Sequence, residues 1–521
     1  MAQTGDWTAG QAKGSHPYAA AAPGHWAGLS SFLLERYFTL DRRSLGLFRI
    51  VFGVLLLCDL YYRARGIEYW YVNDGLMPNH VVLWAKPTGP LLSFFFTLSS
   101  YQEAVAGFFV CGVVFLAYTL GYHTKLSQAL AFICILSLNG RLHMLENGGD
   151  IVVNILACLT LFLPLGDRFS LDALRLARAR GIGATTPETD SPANSFVSVA
   201  CFALILQLAL IYLFNVLHKS GASWMEGSAV HYTLHQDRLI TSFGVWLRET
   251  MPYPVLQGLT WGTLAVESLA VLLILSPCET FGSRAVAAAL VPTLHLGFAL
   301  CLDLGPFPYV MMCFFIPLIP AWVWQRSAEQ HWLAPVRRIV ARTRRRLLGV
   351  VQQLEPEVQT VQLNQPGESL LSLWPREVAA MVVLLSILFA VSQTNAAVPE
   401  QLRLGYPRFA RSLIDSTRMF QGWRMFAPEA PFEDFAISVD AVTVDGRHVD
   451  PYNEVASPNH PRVLHDIPPQ LGQDQYFTSY SLFLPNDNFK SYHHILQNWV
   501  LDYPKRTGNP KDRIVSFTVR Q

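Results

Sequence analysis

Residues able to do proton chemistry recur in this chain where apolar sequence surrounds them. Arg49 and Asp59 share one apolar run, Glu267 sits in a second and His295 in a third. A fourth run ends in Asn215, His218 and Lys219, and Glu146, Asn147 and Asp150 precede a fifth. An ionisable group at membrane depth is costly, so it faces the bundle interior or a wet cavity. For each there is a structural reading, a pair or hydrogen bond that fixes helix packing, and a functional one. Arg49 and Asp59 are ten residues apart, nearly three helical turns, so each needs a partner on another helix. Lys219 stands where an apolar helix ends, just before Ser220-Gly221-Ala222-Ser223-Trp224. A lysine there either snorkels its ammonium to the interface or, desolvated, gives up its proton and acts as a base.

The chain has no P-loop, HExxH, GxSxG or EF-hand pattern, so no nucleotide or metal cradle accompanies these residues. A lipid-soluble small molecule is the better match. Of 521 residues, 51% are hydrophobic and only 15% charged, where soluble domains carry about 25% charge. Mean hydropathy is positive, +0.27. A net charge of +1 excludes a general nucleic-acid binder. The eight cysteines form no CxxC pair and none follows Cys313, which reads as small apolar packing rather than a disulfide framework. The class is a mainly α, polytopic transmembrane helical bundle.

Runs long enough to cross the hydrocarbon core fall at 44–63, 101–121, 126–140, 151–165, 196–217, 258–276, 284–302, 309–325 and 377–394, about nine spans. Arg42 and Arg43, then Arg168, Arg175, Arg178 and Arg180, then the run Arg326, Arg337, Arg338, Arg342, Arg344, Arg345 and Arg346 all fall on one side if the N-terminus is cytoplasmic. Residues 1–29 read as a disordered tail, with 30–39 as an interfacial helix, 30–325 as the bundle, and 326–376 as a basic cytoplasmic linker. The last helix is 377–394, and 395–521 reads as a small exoplasmic β-rich domain. Its strand signals are 435–439, 441–444 with a turn at Asp445-Gly446, Tyr476 to Leu484, and Ile514 to Val519. The loop Tyr71-Val72-Asn73-Asp74-Gly75-Leu76-Met77-Pro78 is a tight turn, either a lid or a plug.

The stretch from Ile211 through Asn215, His218 and Lys219 to Trp224-Met225-Glu226-Gly227 resembles the vitamin K-dependent gamma-carboxylase family. The wider resemblance is to the HTTM (horizontally transferred transmembrane) domain family. It is carried by Leu47-Phe48-Arg49 with Gly53, by Asp74-Gly75-Leu76-Met77-Pro78, and by Leu120-Gly121-Tyr122. His295 and then Phe307-Pro308-Tyr309-Val310-Met311 complete it. Asn147-Gly148-Gly149-Asp150 looks like a bacterial form, and so does Gln421-Gly422-Trp423-Arg424-Met425-Phe426-Ala427-Pro428. The latter either packs the C-terminal region onto the bundle or lines a substrate entrance.

The resemblance implies a mechanism. A reduced vitamin K or other naphthohydroquinone loses a proton to an enzyme amine and reacts with oxygen to become a stronger base. That base takes a γ-proton from a glutamyl side chain, which captures carbon dioxide. On this resemblance Lys219 is the amine, beside His218, and His295 holds the reacting oxygen. Asn215, Asp150, Trp224 and Tyr309 are the residues put forward to contact the cofactor, with Arg49, Asp59 and Glu267 as intramembrane polar groups. The family's histidine near the fourth span falls at about Gly149 or Asp150, and nothing matches its glutamate-binding stretches. The expected partners are therefore the bilayer, a quinone and a peptide or protein substrate. The rival expectation is a non-enzymatic quinone- or lipid-binding scaffold or maturation factor.

Overall fold

The computed structural model describes residues 25–84, 89–179, 194–277, 282–329, 370–434, 436–455 and 475–520, with Arg342, Thr343, Arg346 and Gly349 between them. The expected tail up to residue 24 and most of the basic linker lie outside the described residues. The first described element is helix α1 (His25–Tyr37). Strand β1 (Thr39–Asp41) then pairs antiparallel with β2 (Ser195–Val197), tying the starts of two long helices together. Asp41 caps the first, α2 (Arg42–Ala64), by accepting from the Arg43 N–H at 2.8 Å. A Ser100–Glu103 capping box opens α3 (Tyr101–Leu120), and Gly121 in the left-handed region closes it. The helices α4 (Thr124–Arg141), α5 (Gly148–Thr160), α6 (Val199–His218), α7 (Tyr253–Leu275) and α8 (Ser283–Cys301) follow. After these come α9 (Phe307–Phe314), α10 (Ala321–Glu329) and α11 (Leu370–Thr394).

The reading of nine spans is not confirmed. Among the described residues six helices are long and apolar enough to cross a membrane: α2, α3, α6, α7, α8 and Trp374–Thr394 within α11. A seventh exists if Phe307–Leu318 and Ala321–Ser327, bent by 86°, count as one broken span. The other two candidates fail for different reasons. Helix α5 has 13 residues, only about 20 Å of helix against a hydrocarbon core of about 30 Å. Helix α4 buries Thr124, Ser127, Gln128, Ser137, Asn139 and Arg141. Gln128 donates to the Thr160 carbonyl, and Asn139 donates to Asn154 Oδ1 at 3.0 Å. Polar groups paired inside the bundle make α4 apolar by pattern but not by composition.

The C-terminal region is mixed rather than β-rich. Its sheet has three antiparallel strands in the order β4-β3-β5, with β3 Ser438–Thr443, β4 His448–Val449 and β5 Ile514–Arg520. The expected Asp445-Gly446 turn joins β3 to β4, with Gly446 at φ +82°. Of the first strand signal, Phe435 lies outside the described residues. The expected strand from Tyr476 is instead helix α13, once α12 (Arg408–Thr417) is counted before it; α13 spans Gln475–Phe483. Tyr476, Phe477, Tyr480 and Leu484 are buried, a spacing that shares one helical face. That face packs on Trp70, whose ring lies 4.7 Å from Phe477 and 5.6 Å from Tyr480. Tyr71, Leu76 and Met77 are fully buried, so the 71–78 loop is a plug. One hydrophobic core runs from the bundle into the C-terminal region.

An ion pair locks the two parts. Arg418 Nε and Nη2 donate to the two Glu146 oxygens at 2.8 and 2.6 Å, and each side chain is only 6% exposed. Removing one member leaves an unpaired buried charge. Arg418→Met alone should therefore lower stability by about 3–5 kcal/mol, and Glu146→Leu with Arg418→Met should recover most of it. Thermal unfolding of the detergent-solubilised single and double variants checks this; additive losses would refute it.

Candidate functional site

On α6 the residues Tyr212 and Asn215 are three apart, and Lys219 follows four later as the residue that ends the helix. That spacing makes one stripe. The stripe faces α7. Lys219 Nζ lies 2.6 Å from Glu267 Oε2, and Asn215 Nδ2 donates to both Glu267 oxygens at 3.2 Å. Lys219 and Glu267 are each 4% exposed. The Trp224 ring centroid is 4.4 Å from Lys219 Nζ, a cation–π contact in a desolvated setting. From α8, His295 Nε2 lies 2.8 Å from the Tyr212 hydroxyl. His295 is buried and its Nδ1 has no hydrogen-bond partner.

The C-terminal region supplies the facing wall. The Met425 N–H donates to Asn215 Oδ1 at 3.1 Å, and Trp224 Nε1 donates to the Phe426 carbonyl at 2.8 Å. The Gly221 N–H donates to the Pro428 carbonyl at 3.1 Å. Glu429 then accepts from the Ala222 and Ser223 N–H groups at 2.6 and 2.8 Å. A Cβ on residue 221 would stand 2.2 Å from the Glu429 carboxyl carbon, so the carboxylate would have to shift to admit one. Behind this segment Gln421 Oε1 accepts from Gln207 Nε2 and Trp423 Nε1, each at 3.0 Å.

These groups close one end of a cavity of about 880 Å³. Ile211, Leu259, Val266, Leu294, Phe298 and Met311 make much of its apolar wall, and Asn147, Gly148, Gln475 and Thr478 also reach it. Leu259 lines the cavity and is 43% exposed. Gly258, Gly262 and Gly297 line the same stretch, and a Cβ added at any of them would meet nothing within 4 Å. These residues make the α7–α8 seam of the cavity wall. Proton exchange within the Lys219–Glu267 pair, and donation or acceptance at His295 Nδ1, are the chemistry this arrangement offers to a ligand in the cavity.

The structure brings Lys219, His295, Asn215 and Trp224 to one cavity. It turns His218 away: its Nδ1 bonds the Phe214 carbonyl at 2.6 Å, and the residue borders a separate, smaller pocket. Asp150 stands outside the cavity and accepts from Arg63 Nη2 at 2.7 Å, although its neighbours Asn147 and Gly148 line it. Tyr309 is 51% exposed and is not a lining residue. Asp59 pairs with Arg63 one turn on in its own helix rather than with another helix. Arg49 holds the Leu165 and Phe169 carbonyls at 3.0 and 2.6 Å. Glu267 moves from the periphery to the centre. Tyr212 was missed, although its place in the Asn215–Lys219 stripe was a usable signal. Met425 and Phe426 come from over 200 residues away in sequence, within the 421–428 stretch that the sequence left with two roles.

Fold and site together define an integral membrane protein of the polytopic helical class, with a buried lysine–glutamate pair lining an apolar cavity. The HTTM domain matches residues 37–324, more than half of the chain, and the chain belongs to that family. Comparison with curated proteins and with solved structures gives no match.

The Ser223 hydroxyl and the two backbone N–H groups hold the Glu429 carboxyl below the usual carboxylate range. A depressed value in the folded state means stability present above the ordinary carboxylate pKa and lost as pH falls through the depressed one. Glu429→Gln should loosen the Trp224 turn at neutral pH and remove that acid-side loss. Tryptophan emission followed from pH 7 down to 3, wild type against variant, reads this out; identical profiles would refute it.

Proposed function

We propose that the protein is a membrane enzyme that couples oxygenation of a naphthohydroquinone to carboxylation of a glutamyl or related substrate at the exoplasmic face. The observation that carries the reading is the Lys219–Glu267 pair at the closed end of an apolar cavity, beside the unpartnered Nδ1 of His295. The cavity volume falls within the usual range for small-molecule sites, about 300–1,000 Å³. Its apolar walls suit a fused aromatic ring, and the seam suits a tail reaching in from lipid. The hydroquinone, when bound, supplies the oxygen chemistry and the strong base.

The chain's own part is smaller and specific. In a medium of low dielectric an ion pair and its neutral form, amine with carboxylic acid, are close in energy, because the neutral form buries no charge. Glu267 therefore lets Lys219 present a neutral amine to a ligand hydroxyl and take its proton. Asn215 holds the Glu267 carboxylate still while this happens. His295, oriented by Tyr212, offers Nδ1 to a ligand oxygen. Trp224 and Phe426 cover the amine and exclude water, which would otherwise protonate it.

Mass analysis of quinone and peptide products tests the proposal. Purified protein receives reduced naphthoquinone, oxygen, labelled bicarbonate and a glutamate-containing peptide. Quinone epoxide and labelled peptide are expected. Lys219→Ala should lower hydroquinone consumption by about 10²–10⁴-fold, the ordinary worth of a positioned base. Glu267→Gln should also lower it, because the amide cannot accept the proton. Full activity in Lys219→Ala would remove that residue as the base. No consumption of hydroquinone by the wild type would favour the scaffold reading.

A further inference from the structure

Helix α13 has two working faces. On one, Tyr476, Phe477 and Tyr480 are buried, with rings 4.7 to 6.5 Å from that of Trp70. On the other, Gln475, Thr478, Ser479 and Leu482 line the large cavity. Steps of three, four and seven residues from Gln475 make them one helical stripe. Gly305 sets where this stripe meets the bundle. It holds a left-handed φ of +57°, and the Gln475 amide packs into the space that a Cβ at residue 305 would fill. Two residues on, the Phe307 ring lies 5.6 Å from that of His295. The stripe and His295 thus both border the segment 305–307.

The hydroxyls that line the cavity fall into two groups. Tyr212 is spent on His295. Thr233, Thr263 and Thr293 each donate to a carbonyl four residues back in their own helices, at 2.8, 2.9 and 2.8 Å. The Asn147 amide oxygen is likewise taken, by the Gly149 N–H at 2.7 Å. Thr478 and Ser479 differ, because among the described residues neither hydroxyl has a partner. Two adjacent, uncommitted hydroxyls on one wall are free to meet a polar atom of a ligand.

A hydroxyl both donates and accepts. It accepts from a phenol O–H and donates to a carbonyl, so it holds a ring oxygen in either form. An ammonium would suit the carbonyl alone and a carboxylate the phenol alone. A 1,4-dioxygenated ring carries two such oxygens on opposite edges. With one of them at Lys219 and His295, the second is left against apolar wall unless another group receives it, and a buried polar atom without a partner is costly.

We propose that Thr478 and Ser479 are positioning residues for the second ring oxygen of a 1,4-naphthohydroquinone, holding it as the phenol and again as the carbonyl. The proposal rests on the quinone reading of the cavity. It gives the C-terminal region, which lies beyond the HTTM match, a share in ligand recognition.

Isothermal titration calorimetry of the detergent-solubilised full chain tests it with two probes. One is 2,3-dimethyl-1,4-naphthoquinone; the other is 2,3-dimethyl-1-naphthol, which lacks the second oxygen. Thr478→Val combined with Ser479→Ala should weaken binding of the dione about five- to tenfold, the worth of one or two neutral hydrogen bonds. The same variant should bind the naphthol as the wild type does, which shows its cavity intact. Thr478→Ser keeps the hydroxyl and should keep the dione affinity. An equal loss for both probes, or no loss for the dione, would overturn the subsite. No binding of the dione by the wild type would overturn it together with the quinone reading. A loss confined to the dione, in a protein that consumes no hydroquinone, would keep the subsite and discard the oxygenation chemistry.

Discussion

A lysine and a glutamate buried among apolar helices can persist only if they face each other. Each charge alone would cost several kcal/mol to hold at that depth, and that penalty constrains everything around the pair. It fixes the rotation of α6 against α7, because Lys219 and Glu267 must point at a common spot. It fixes Asn215, whose amide is needed to satisfy the carboxylate's second oxygen. It also requires a cover over the amine, and Trp224 supplies it. The catalytic assignment is an interpretation of the pair, while its geometric demands hold under any function.

The cover is itself supported from outside the family-matched segment. Trp224 is held by the Phe426 carbonyl, Asn215 by the Met425 N–H, and the turn between them by Pro428 and Glu429. Gln421, buried beside Gln207 and Trp423, anchors this strap in the bundle. Arg418 adds the ionic tie to Glu146, next to cavity-lining Asn147. Sequence reading left that strap with two roles, packing and lining. In the structure Met425 and Phe426 wall the cavity between anchors on either side, Gln421 and Trp423 before them and Pro428 and Glu429 after.

The legible parts of the site were the local ones. Lys219, Asn215 and Trp224 lie within ten residues, and helical spacing alone puts the first two on one face. His295 and Glu267 stood out as polar groups in apolar runs, but nothing in one sequence says that they meet. Tyr309 went astray because adjacent helical residues point about 100° apart. Pro308 and Val310 on either side of it are buried, while Tyr309 faces out. Asp150 sits in a run whose neighbours reach the cavity, and its own side chain follows Arg63 instead. Nine spans are not reached because hydropathy cannot see context: α5 is short and buried, and α4 pairs polar groups on one face inside the bundle while Leu126, Leu130 and Ile133 on the other stay exposed. The C-terminal region misled for a related reason, since aromatic residues favour strands in isolation and here pack one face of α13.

The distribution of wall residues along the chain has a consequence for assembly. The HTTM portion, residues 37–324, contains Lys219, Glu267 and His295. Met425, Phe426, Gln475, Thr478 and Leu482 border the same cavity and all lie after it. In chain order the charged pair is therefore made before the residues that complete the wall of its cavity.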